Sequence, residues 1–274
     1  MYNVHYLFKT YHMKNRNLSL VGVINQINKI TFIVIALLYF NPNSEAQCTL
    51  NNGSALTSGY LASTGNTEID NLIKSEEIKL EQFFNVKVDL KIYSGANGLA
   101  KRTCQSGSCN GSIELGKELL IFEYKKKGPS SGLSIGKYMI MSIMAHEFAH
   151  IFQYSHPELT FKNSIIQEVH ADMLAGWYIT RSLVDNIPSS DRYMPLSDSW
   201  DQINKIYTDL TISFGWMGDR AYWSQQHHGN YLTRVMAFRE GWKDYKERGI
   251  KEFQYFLKWS VQTAENLIKE WDED

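Results

Sequence analysis

The chain has 274 residues, 43% hydrophobic, 13% aromatic and 21% charged, with a net charge of −1. That composition excludes disordered and collagen-like chains, and the length allows one or two domains with a sizeable core. The near-zero charge, with no run of five like charges, gives no reason to expect a nucleic-acid partner.

The N-terminus reads as an export signal. Lys9, Lys14, Arg16 and Lys29 precede an apolar run from Ile30 to Phe40, which is shorter than the ~20 residues a membrane helix needs. Asn41-Pro42 then breaks the run, and Ser44-Glu45-Ala46 places small residues for cleavage after Ala46. The expected organisation is a signal peptide over 1–46, a flexible Asn/Ser/Thr/Gly-rich lead-in over 47–67, and one domain over 68–274. Met13, followed by Lys14-Asn15-Arg16, is an alternative start. No later apolar stretch is long enough to span a bilayer, so no stable membrane span is expected after cleavage.

Apolar positions at Ile69, Leu72, Ile73, Leu80 and Phe83-Phe84 predict an amphipathic helix from about Glu68 to Phe84. Val86 to Tyr93 alternates apolar and polar residues and predicts a half-buried strand. Gly95 to Gly111 reads as a turn-rich loop carrying Cys104 and Cys109, a pair placed for a local disulfide in an exported protein. Ser112–Leu115 and Glu118–Tyr124 read as two further strands, so 84–127 is the β-rich part. After Gly128-Pro129-Ser130-Ser131-Gly132 the pattern is helical over 133–274. Helices are expected at about 136–154, 163–184, 200–211, 228–248 and 250–271. The fold class is α+β, a small N-terminal sheet feeding a mainly helical remainder.

His146-Glu147-Phe148-Ala149-His150 falls within the first of those later helices. Residues four apart share a helix face, so both imidazoles can reach one metal ion with Glu147 beside it. This is the zinc-peptidase signature, two His ligands and a Glu general base. Such a site takes three protein ligands and keeps one position open. Glu168, eighteen residues after His150, is one candidate for the third, with Asp172 four residues on and placed to orient a ligand His. His156 is the other, at the third-ligand position of the metzincin pattern, although Gln153 stands where that pattern has Gly. Met194 before Pro195 is a weak match to that pattern's Met-turn. His170 should face away from Glu168, and Gly176 should let the two site helices approach closely.

These residues resemble the gluzincins, zinc peptidases with H-E-x-x-H, a Glu ligand and a supporting Asp. Ala145 to Gln153 and Glu168 to Gly176 most resemble the bacterial neutral zinc metallopeptidases, and more distantly the HtpX and CaaX-processing peptidases. Softer likenesses cover Ala96 to Ala100, where Gly98 replaces an Ala of the pattern, and His228-Gly229-Asn230 with Arg234. The resemblance implies a zincin-like fold and a Zn²⁺ held by His146, His150 and Glu168. It further implies that Glu147 acts on water and that Asp172 orients a ligand His. His228 then either stabilises an oxyanion or caps its helix, and Arg234 makes a structural salt bridge. The expected partner is a peptide or protein substrate, held in extended form by an edge strand near Ile113 to Leu120. A zinc-stabilised binding protein that cuts nothing is the alternative from another class of function.

Overall fold

The computed structural model describes residues 59–102, 109–187, 198–215, 231–246, 248 and 252–271. All of them lie within one compact unit, residues 46–274. Helix α1 (Thr67–Phe84) forms as its sequence predicts. Asn66 caps it by accepting from the amides of Glu68 and Ile69. Its stripe of Ile69, Ile73, Leu80 and Phe84 is buried.

A four-stranded sheet follows the order β1-β2-β4-β3: β1 (Tyr60–Leu61), β2 (Val88–Tyr93), β3 (Gly98–Lys101) and β4 (Gly111–Gly116). β2 and β4 run parallel, while β3 lies antiparallel to β4. Three sequence expectations change here. The lead-in is not wholly loose, because Tyr60 and Leu61 pair with β2. The loop predicted over 95–111 contains β3, whose four residues are too few to show a period. The segment 117–124 is a helix, α2 (Lys117–Tyr124), and not a strand. Leu119, Leu120 and Glu123 recur at helical spacing on its buried side. The exposed edge beside the site is therefore β3; β4 is an inner strand with all six residues buried.

The helical remainder comprises α3 (Gly136–Ser155), α4 (Ser164–Asp185), α5 (Asp198–Gly215), α6 (Tyr231–Lys246) and α7 (Phe253–Trp271). α3 packs against β3, β4, α1, α2, α4 and α5. That explains why its sequence is apolar nearly all round: every residue from Met139 to Gln153 is buried. The Ser130 and Ser131 amides donate to Asp209 of α5 at 2.9 and 3.2 Å, tying the turn before α3 to the core.

Gly176 serves a different neighbour from the one expected. A Cβ on Gly176 would stand 2.1 Å from the Phe238 carbonyl oxygen of α6. One on Gly241 of α6 would stand 2.2 Å from the Met173 carbonyl oxygen. The two glycines let the backbones of α4 and α6 touch, which places Arg234 of α6 beside the site.

Candidate metal centre

α3 presents His146 and His150 one turn apart, and α4, capped by Asn163 on the Ile166 amide, returns Glu168 to them. The two Nε2 atoms are 3.1 Å apart. Glu168 Oε2 is 3.2 Å from His146 Nε2, and its Oε1 is 3.3 Å from His150 Nε2. The carboxylate thus turns one oxygen toward each imidazole, as a carboxylate facing a shared metal position does. Among the described residues these three side chains form a cluster that could hold a metal ion, and their two nitrogens and one carboxylate suit zinc.

Each imidazole is supported from behind. His146 Nδ1 lies 2.8 Å from Asp172 Oδ1, an ion-pair contact in which the ring N–H points off the oxygen. Arg234 donates from Nε to Asp172 Oδ2 and from Nη2 to Oδ1, both at 2.8 Å. The guanidinium also lies over the Phe214 ring of α5, 4.8 Å from its centroid. Arg234 thus makes a salt bridge, and Asp172 lies against the Nδ1 side of His146.

His150 Nδ1 donates to Gln153 Oε1 at 2.9 Å. Gln153 Nε2 in turn donates to the Gln167 carbonyl at 2.9 Å and to His170 Nδ1 at 3.0 Å. His170 Nε2 donates to Ser260 Oγ at 2.9 Å, and Ser260 donates to the Leu257 carbonyl. Donors and acceptors alternate through this chain, which fixes the tautomer of His150 with its Nε2 lone pair facing the cluster. His170 indeed faces away from Glu168, as its spacing predicts. Its link through Gln153 to a ligand was missed, and the signal was there: Gln153 stands three residues after His150, on the same helix face.

The charges are strongly coupled. Burial by itself pushes the His146 imidazolium down, but the Asp172 and Glu168 carboxylates outweigh it and hold its pKa at about 10 in the metal-free protein. Asp172 is held below the usual carboxylate range: burial opposes ionisation, and Arg234 and His146 overcome it. Burial lowers His170 to about 3, so it stays neutral.

Glu147 is mostly buried and makes no hydrogen bond to any described residue. A Cβ on Gly98 of β3 would stand 2.9 Å from Glu147 Oε1, which explains the glycine in the Ala96–Ala100 segment. Tyr154, one turn beyond His150, is pushed up to about 12 by burial and by the Glu147 and Glu168 charges.

His156 is not brought to the cluster. Its Nδ1 donates to the Phe152 carbonyl at 2.9 Å and its ring packs on Phe152, with centroids 4.0 Å apart. Cys109 is disulfide-bonded, and its partner lies outside the described residues, as do Cys104, Met194, His228 and the segment 1–46. No helix among the described residues is long and apolar enough to cross a membrane. The chain matches no protein-family model, no curated protein and no solved structure.

Proposed function

We propose that the protein is an exported, zinc-dependent endopeptidase of gluzincin type. The observation that carries this is the convergence of the His146 and His150 Nε2 atoms and the Glu168 carboxylate on one point, with Glu147 beside the edge strand β3. A metalloprotein that only binds needs no unpaired carboxylate at that point. Export rests on the N-terminal pattern of basic residues, apolar run and small residues.

When bound, zinc supplies Lewis acidity toward water and toward the scissile carbonyl. Glu168 and the two imidazoles would hold the ion, with Asp172 and Gln153 setting the ring orientations. An extended peptide adds to the open edge of β3 through main-chain hydrogen bonds, which brings a peptide bond opposite Glu147. Glu147 takes a proton from the attacking water and passes it to the leaving amine, so the carboxylate is regenerated.

Metal analysis of the purified protein, combined with cleavage of a peptide library, tests this reading. Zinc near one equivalent is expected, with cleavage abolished by chelation and restored by zinc. Glu168→Ala should strip the metal and His156→Ala should retain it. Zinc retained in Glu168→Ala, or cleavage indifferent to chelation, would contradict the assignment.

A further inference from the structure

We propose that the end of the cleft away from Glu147 is a carboxylate-binding subsite, in which Arg102 and Tyr154 select peptides bearing an acidic group beyond the cleaved bond. The inference deepens the peptidase reading and rests on it for the position of the cleaved bond.

β3 and α3 pack against each other and come close at two points. At one end a Cβ on Gly98 would meet Glu147. At the other the Arg102 guanidinium lies over the Tyr154 ring, 4.8 Å from its centroid. Four residues of strand cover about 13 Å, and the seven from Glu147 to Tyr154 cover about 10 Å of helix. The two paths are of similar length, so β3 and α3 stay beside each other between the two contacts. A Cβ on Gly111 of β4 would meet both the Lys101 carbonyl oxygen and Ile151 Cδ1, so strand and helix are also close beside the Arg102 end.

A cavity of about 340 Å³ opens at the Arg102 end. Arg102, Tyr154, Pro157, Leu159, Phe161 and Gln167 line it, and its remaining wall is Gln153, the residue that supports His150. Arg102 has no carboxylate partner among the described residues, and the Tyr154 hydroxyl has no hydrogen-bond partner among them. A guanidinium offers a planar fork of donors that fits a carboxylate, and the phenol adds one more. An extended peptide paired with β3 and cleaved opposite Gly98 would reach Arg102 about three or four residues from the cleaved bond. That carboxylate is an Asp or Glu side chain, or the C-terminal carboxylate of a short peptide.

The test uses blocked peptides carrying Glu or Gln three or four residues from the cleaved bond, and the Gln peptide as free acid or amide. Each is assayed for cleavage by the parent and by Arg102→Gln. Binding to Glu147→Gln, with and without Arg102→Gln, is read in parallel by fluorescence anisotropy, which needs no turnover. We expect the parent to favour the acidic peptide about tenfold in kcat/KM, and Glu147→Gln to favour it similarly in Kd. Arg102→Gln should bring both ratios near one, and Arg102→Glu should shift preference to a Lys peptide. A preference that follows Glu over Gln assigns the pocket to a side chain; one that follows acid over amide assigns it to the chain end. Selective binding without any cleavage would leave the subsite standing and remove the peptidase reading. Ratios near one in the parent, or ratios unchanged in Arg102→Gln, overturn the proposal.

Discussion

Arg234 grips Asp172 through two buried hydrogen bonds of 2.8 Å, and Asp172 in turn meets His146 Nδ1. Removing one member of such a pair leaves the other charge buried and uncompensated, at a cost of about 3–5 kcal/mol. Arg234→Leu should therefore destabilise the protein by about that much in urea unfolding. The double variant Asp172→Asn with Arg234→Leu should recover part of the loss, since no lone charge remains. A loss below about 1 kcal/mol in Arg234→Leu would show that the pair is not what holds α6 to the site.

Gln153 sets the tautomer of His150, so its loss should weaken the metal more than the fold. Gln153→Leu keeps the volume but removes the acceptor for His150 Nδ1. Chelator competition should show zinc held about 10- to 100-fold less tightly. Gln153→Glu keeps the acceptor for His150 Nδ1 but loses the donor to the Gln167 carbonyl and His170 Nδ1, so it should lower stability while holding zinc more tightly than Gln153→Leu. Equal affinities for both variants would separate Gln153 from the ligand's orientation.

His146 and His170 make opposite contributions to the pH dependence of the metal-free protein, one above and one below pH 6.5. His146 has its folded pKa raised to about 10, so its stabilising contribution is complete below 6.5 and is lost as pH climbs toward 10. His170 is lowered to about 3, so below 6.5 the unfolded chain takes up a proton that the folded one refuses. Its contribution then falls as pH drops from 6.5 toward 3. Burial raises Asp244 to about 6, which opposes His170 between pH 4 and 6. In thermal unfolding of chelated protein, Tm should therefore fall clearly only from pH 6.5 to 10, and the Tm gap between parent and His170→Asn should narrow as pH drops below 6.5. A Tm that keeps rising from pH 6.5 to 10 would contradict the His146 assignment, and equal profiles for parent and His170→Asn below pH 6.5 would contradict the His170 one.

Gly98 leaves room for the Glu147 carboxylate. Gly98→Ala meets the far end of a flexible side chain and not a backbone, so the fold should tolerate it while Glu147 shifts. A displacement of about 1 Å at the base is enough for a loss of about 10²-fold in kcat. We expect zinc content to stay at the parent level and hydrolysis to fall. Unchanged kcat would place Glu147 away from the reacting atoms.

How much of this was legible in the sequence depended on whether a residue announced its spacing. His146, His150 and the Glu168–Asp172 pair lie at helical intervals, and the helices formed within a few residues of expectation because apolar periodicity is a local signal. β3 was not legible, since four residues pair only because β4 and α3 offer them a seat. The run 117–124 misled for a related reason: a short apolar stretch has no period to separate strand from helix. The Gly176–Gly241 contact joins segments far apart in sequence, so Gly176 alone could not name its neighbour. Arg102 and Tyr154 are likewise brought together only by the fold.

Replacing Glu147 by Gln is the most direct test of the central claim, because it removes the base and leaves every proposed ligand in place. We expect the variant to bind zinc as the parent does, to unfold at a similar temperature, and to lose peptide hydrolysis by about 10²-fold or more. A zinc-loaded Glu147→Gln variant that hydrolyses peptides at the parent rate would contradict the account.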